Sequence, residues 1–308
     1  LHYGLVPRTN RGIFAINELP DLAERIQVGL LNVLEERDEQ VRGYKVRLPL
    51  DVLLVASANP EDYTNRGRII TPLKDRFGSQ IRTHYPLDVD TEMIIVEQEA
   101  AVAPLDGITF AMPDFMTEVV AQVSQLARQS ASINQRSGVS VRMSVTNYEA
   151  LAAAALRRTL RQGETVVVPR VVDLEALAAS TSGKVELEML DDGREGEVLD
   201  HLLKAAVLGT FRDSVDPGHH RAIIDAFEEG TTVAAGDDIS SADYEALLHA
   251  IPALRGPVDE LLEDEEAEVR SAPGMLASAI EFILEGLHLS KRLNKHGSGP
   301  RAEYVART

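Results

Sequence analysis

Two short apolar runs that each stop abruptly in polar residues constrain this chain more than any other feature. The first, Ile13–Ile16 within the stretch GIFAINELPDL (Gly12–Leu22), ends at Asn17 and Glu18; the second, Val52–Ala58 (VLLVASA), ends at Asn59-Pro60-Glu61. Continuous apolar runs of this length predict strands buried on both faces, as in a parallel sheet with helices on each side. Ligands of open α/β sheets sit just beyond the carboxyl ends of the strands. Glu18 is therefore placed like a working carboxylate, with Asn59 delivered toward the same edge. Two ordinary core strands with polar ends would read the same way, and the pattern alone leaves both readings open.

The elements between and after these runs alternate. Pro20–Arg37 predicts a helix, with Leu22, Ile26, Leu30, Val33 and Leu34 on one face. Gln40–Leu48 alternates about Gly43 and predicts a hairpin. Tyr63–Ile70 reads as a loop and Ile81–Tyr85 as a further short strand. Helical periodicity then dominates: a helix after Leu87-Asp88-Val89-Asp90, then Pro113–Gln129, Val141–Gln162 and Pro169–Ser180. Further helices are expected at Gly196–Leu208, Arg221–Glu229, Ser241–Ala250, Pro257–Glu268 and Met275–Leu289, with His296–Thr308 as a loose tail.

Charge divides the chain as well. The 308 residues carry a net charge of −18. Leu1–Val185 holds 20 basic and 23 acidic residues, Glu186–Arg270 holds 6 and 23, and Ser271–Thr308 holds 5 and 3. The middle segment would repel phosphate, which argues against nucleic acid there; it suits a basic protein partner, or is simply a solvated surface. There is no cysteine, so disulfides and thiolate metal sites are excluded. With no signal peptide and no apolar run long enough to span a bilayer, the expectation is a cytoplasmic protein without a membrane role. Leu1 and the strand close behind it read as the later part of a longer protein.

Asn17-Glu18 at one strand end, Asn59 at the next, then Leu73-Lys74-Asp75-Arg76-Phe77 and Ser137-Gly138-Val139-Ser140-Val141-Arg142 form an ordered series. In that order they resemble the AAA+ ATPases, most closely the magnesium-chelatase ATPase subunit and its MoxR relatives. GIFAINEL is similar to the Walker B strand, SANPED to the sensor-1 strand end, LKDRF to the arginine-finger segment and SGVSVR to the sensor-2 segment. The hairpin ahead of the sensor-1 strand is a mark of the same subgroup. The resemblance covers roughly Leu1 to Lys184. It implies a fold of α/β plus all-α class: a partial parallel-sheet core at 1–87, a helical lid at 88–185 and an extra acidic helical region at 186–308.

The resemblance also assigns roles. Glu18 would polarise the attacking water, Asn59 would bond the γ-phosphate and that water, and Arg76 would reach a neighbouring subunit's site. Arg142 would read the γ-phosphate from the lid, and Asn17 would stand near Mg²⁺. Asn17 is a departure, since the family carries an acid there, and an amide lacks the charge that a hard cation favours. Arg66 and Arg68, in the loop before the finger, are further interface candidates. Arg42, Lys45 and Arg47 on the hairpin would touch DNA or a substrate in a ring pore, or else form a charged solvent face. No G-x-x-x-x-G-K-[ST] cradle exists in this chain. Ser182-Gly183-Lys184 fails as one, with Ala178 and Val185 in the wrong places, and His219-His220 lacks metal-site spacing.

The resemblance implies an ATP- and Mg²⁺-dependent motor, a homo-oligomeric ring, expected to be a hexamer, that remodels a partner, often one with a von Willebrand A domain. The chain by itself is expected to bind ATP poorly, because the cradle is missing. Three other readings stay open: a scaffold with a degenerate site, marked by Asn17; an enhancer-binding transcription activator, disfavoured because no basic helix-turn-helix is evident; and an MCM-like helicase.

Overall fold

The computed structural model describes residues 4–35, 39–41, 44–46, 49–59, 68–135, 137–187, 195–297 and 301–307. The chain divides into two compact units, Leu1–His84 and Tyr85–Thr308.

The first unit is built on a short helix α1 (Leu5–Arg8), strand β1 (Gly12–Ile16), helix α2 (Glu24–Glu35), strands β2 (Glu39–Val41) and β3 (Tyr44–Val46), strand β4 (Val52–Ala56) and helix α3 (Thr71–Arg76). β1 and β4 pair in parallel, from Gly12 opposite Val52 to Ile16 opposite Ala56. β2 and β3 form the expected antiparallel hairpin; Arg42 and Arg47, and the side chain of Lys45, lie outside the described residues. Ile16, Leu19, Leu30 and Leu73 are the buried core, with Phe14, Leu54 and Ala56 packed partly against them. The buried Gln27 amide ties α2 to the segment ahead of α3. It donates to the carbonyls of Leu22 and Arg68 and accepts from the Ile70 N–H.

The expectation that both strands are buried on both faces is corrected here. A pleated strand sends alternate side chains to opposite faces, and α2 and α3 cover only the one that holds Phe14, Ile16, Leu54 and Ala56. On the other face Ile13, Leu53 and Val55 are 66%, 61% and 49% exposed. The strand expected at Ile81–Tyr85 is also absent: these residues have no ladder, and Ile81 is 89% exposed. Alternation marks a chain that could be a strand, but a strand exists only where an edge pairs with it.

The second unit is mainly helical. It contains α4 (Val89–Glu99), β5 (Thr109–Phe110), α5 (Asp114–Gln129), α6 (Arg142–Gln162), β6 (Val166–Val167), α7 (Ala176–Ser182) and α8 (Glu195–Ser214). After these come α9 (His220–Glu228), β7 (Val233–Ala235), α10 (Glu245–Ala250), α11 (Arg255–Leu261), α12 (Ala267–Arg270), α13 (Pro273–Leu289), β8 (Leu293–His296) and β9 (Ala302–Ala306). One continuous core runs through the unit. Its axis is α13, apolar nearly all round and buried from Gly274 to Leu287 except at Leu276. Gly286 lets α8 approach, since a Cβ there would fall inside the Phe211 ring.

Two further expectations change in this unit. The loose tail expected at His296–Thr308 is corrected at residues 301–307, which hold β9. β9 lies between β7 and β8 in an antiparallel sheet, with Ala302 and Tyr304 buried on its inner face. Burial of Tyr304 recovers the loss of chain freedom that makes most termini loose. The single helix expected at Pro257–Glu268 is two, α11 and α12, separated by Leu262–Glu266. The break is built into the backbone: Glu266 stands outside the helical region at φ −58°, ψ 140°, and the Arg270 guanidinium donates to the Glu263 carbonyl. Among the described residues no helix is long and apolar enough to cross a membrane.

Candidate functional site

The two parallel strands end level, and the backbone bonding continues past them. Ser57 N–H donates to the Ile16 carbonyl at 2.9 Å, and Leu19 N–H donates to the Ser57 carbonyl at 2.9 Å. Between these two bonds the chain makes a sharp turn. Glu18 sits at φ 51°, ψ 56°, in the left-handed region. A residue with a Cβ pays about 1–2 kcal/mol to stand there, and such strain persists only where the surroundings hold it. The hold is visible. Leu19 and Pro20 are buried immediately after the turn, in a 3₁₀ segment capped by Glu18, while Asn17 and Glu18 stay exposed.

A hydroxyl ties the turn together. The Glu18 N–H donates to Ser57 Oγ at 3.1 Å, and Ser57 Oγ donates to Asn17 Oδ1 at 3.4 Å. Ser57 was invisible as a site residue because it falls within the apolar run VLLVASA. The available signal was its polarity, directly after the last paired residue of that run. Asn59 emerges two residues further along and is exposed. The structure thus gathers Asn17, Glu18, Ser57 and Asn59 at one sheet edge. Pro60–Gly67, with Arg66, lies outside the described residues; Arg68 is exposed.

Arg76 closes α3 and is half-buried, its guanidinium donating to the Pro72 carbonyl of its own helix at 2.8 Å. Beneath this helix a cavity of about 420 Å³ is lined by Leu19 and Ala56 from the strand ends and by Thr71, Lys74, Asp75 and Phe77. Arg142 belongs to the second unit. It is the first residue of α6 and is exposed; its N–H donates to Ser140 Oγ at 3.3 Å and its carbonyl accepts from Thr146 Oγ1 at 2.8 Å. Among the described residues no three His, Asp or Glu side chains converge as metal ligands. The edge offers a cation one carboxylate, two amide oxygens and a hydroxyl, all of them hard oxygen donors.

No protein-family model matches the chain. Over 100 residues, 32% of its length, the chain is 34% identical to the magnesium-chelatase 38 kDa subunit of Cereibacter sphaeroides. The matched stretch covers 29% of that subunit, so the chain spans less than a third of the relative's length. Partial likeness to a magnesium-chelatase subunit therefore stands beside a strand-end site of acidic, amide and hydroxyl groups.

Proposed function

We propose that this chain carries part of the hydrolytic edge and the lid of an AAA+ ATPase of the magnesium-chelatase or MoxR type, a ring motor that remodels a partner protein. The observation that carries the reading is the strained turn at Glu18. A carboxylate is held out at the end of a parallel strand, and its backbone is bonded to the first residue beyond the neighbouring strand. The partial likeness to the Cereibacter subunit supports the same family.

In this reading Glu18 orients the attacking water as its proton acceptor, and Asn59 bonds the terminal phosphate and that water. Ser57 fixes the turn, and Arg76 serves the neighbouring copy. Mg²⁺ supplies charge neutralisation at the phosphates when bound, and Asn17 would stand near it through water, with an oxygen but no charge. The chain contains no phosphate-cradling G-x-x-x-x-G-K-[ST], so turnover is a property to be read on the full-length protein. ATPase activity of full-length wild type is measured beside Glu18→Gln and Arg76→Ala. We expect Mg²⁺-dependent turnover in the wild type and loss of about three to five orders of magnitude in Arg76→Ala, with a comparable collapse in Glu18→Gln.

Asn17 favours one second reading, a non-enzymatic scaffold with a degenerate site. Absence of Mg²⁺-dependent turnover in the full-length wild type would put that reading first.

A further inference from the structure

The loop that leads to Arg142 is held more tightly than a lid surface requires, and a single buried carboxylate holds it. Glu92, on the first turn of α4, is fully buried. Its two oxygens take both terminal nitrogens of Arg128, at 2.6 and 2.8 Å, the Gln125 amide at 3.1 Å and the Ser144 hydroxyl. Ser144 is two residues beyond Arg142 in the opening turn of α6, and its hydroxyl also pairs with Ser124 at 2.6 Å.

Arg128 extends the hold to the other side of Arg142. With its fork engaged by Glu92, its Nε donates to the Val139 carbonyl at 3.0 Å. Its guanidinium lies 4.8 Å from the centre of the Tyr85 ring. The Tyr85 hydroxyl in turn fills the place where a side chain at position 138 would begin, and Gly138 has φ +70°, a conformation that glycine adopts freely. Val139 and Met143 are buried to either side, whereas Arg142 is exposed. A buried, bidentate and otherwise satisfied arginine–carboxylate pair fixes geometry as well as energy.

We propose that Glu92 is a positioning residue for Arg142: through Ser144 after it and the Arg128–Val139 bond before it, the carboxylate sets the direction in which Arg142 leaves the fold. The inference rests on Arg142 sensing the terminal phosphate of ATP. The variant that isolates it is Ser144→Ala, which removes one hydroxyl from the clamp, with Ser144→Thr as the conservative rescue because it returns the donor.

The experiment measures the dissociation constants of fluorescent ATP and ADP analogues on the full-length protein, with a thermal melt of each variant to establish folding. Arg142→Ala is expected to abolish the preference for ATP over ADP. Ser144→Ala, folded, is expected to lose about ten- to a hundredfold of that preference, the cost of misplacing a group by about 1 Å, and Ser144→Thr to restore most of it. If Arg142→Ala loses the preference while folded Ser144→Ala keeps it, the positioning role is overturned and the phosphate-sensing role survives. If Arg142→Ala keeps the preference, phosphate sensing fails and the inference fails with it.

Discussion

The two units of this chain carry opposite kinds of information. Leu1–His84 holds most of the motif residues and, among the described residues, little core: a cluster of Ile16, Leu19, Leu30 and Leu73 supports a pair of strands whose outer face shows Ile13, Leu53 and Val55. Tyr85–Thr308 holds a continuous core around α13 and, apart from Arg142, no residue that a motif singles out. Chemistry at a strand end needs only a few side chains in strict backbone positions, and these can be set by ladder bonds and one strained turn. Stability needs area, because roughly 25 cal/mol is gained per Å² of apolar surface buried. A residue's legibility as a motif therefore says little about how much of the fold rests on it.

The comparison breaks most readily at Phe282. Its ring is fully buried on α13, 4.7 Å from the Phe115 ring and 6.2 Å from that of Phe211. Phe282→Ala is expected to cost about 3–5 kcal/mol, read as a fall in the urea midpoint followed by hydrogen exchange of the second unit's peptides. In the first unit the same kind of truncation, Leu73→Ala, removes a fully buried side chain whose neighbours Phe14, Ile70 and Phe77 are only partly buried. Such a site can collapse, so the loss should lie near the low end, about 2 kcal/mol. Leu53→Thr, on the exposed face, should change stability by no more than about 0.5 kcal/mol. A loss at Leu53 as large as that at Leu73 would mean that the outer face is covered in solution, and the contrast between the units would not hold.

The sequence announces the motif strands, α2, the hairpin and the long helices because each rests on local periodicity. What it hides are relations between distant residues. The pleat of β1 is legible, yet an apolar residue on both faces suggested two covers where the fold provides one. Tyr304 and Ala302 alternate like a strand, but β9 exists because β7, about seventy residues earlier in sequence, offers an edge. Ile81–Tyr85 alternates equally well and finds no edge. The buried ions are the hardest to read. Arg170 lies 3.6 Å from Glu281, Arg158 pairs with Asp173 at 2.8 Å, and Glu92 is clamped by Arg128. In sequence each of these is one more charged residue on a helical chain. At the site, Glu18 and Asn59 stand out because charge or amide follows an apolar run, whereas Ser57 is concealed by the run itself.

The smallest effect tests whether the second unit carries unfavourable charge at its surface, where Glu97 is exposed and Glu265 half-buried. Glu97 and Glu265 both have carboxyl pKa values raised, first by burial and then by the Asp114 charge. The same surroundings push the Tyr148 hydroxyl up to about 12, through burial and then Glu97 and Asp114. As pH rises above about 4.5, the unfolded chain releases these glutamate protons before the folded chain does. The folded state then binds more protons, so stability falls with rising pH until the raised folded values are passed. His220 acts in the opposite sense. Burial and then Arg292 lower its pKa, so the stability it contributes is present above the ordinary histidine value of 6.5 and is lost as pH falls below it. The wild-type profile therefore mixes the two, and only a difference between variants separates them. Glu97→Gln with Glu265→Gln should melt slightly higher than wild type at about pH 7 and show less difference at about pH 4, where the carboxyls are mostly protonated in both states. A pair of variants that melts below wild type at neutral pH would show these carboxylates to be supported by the fold rather than tolerated by it.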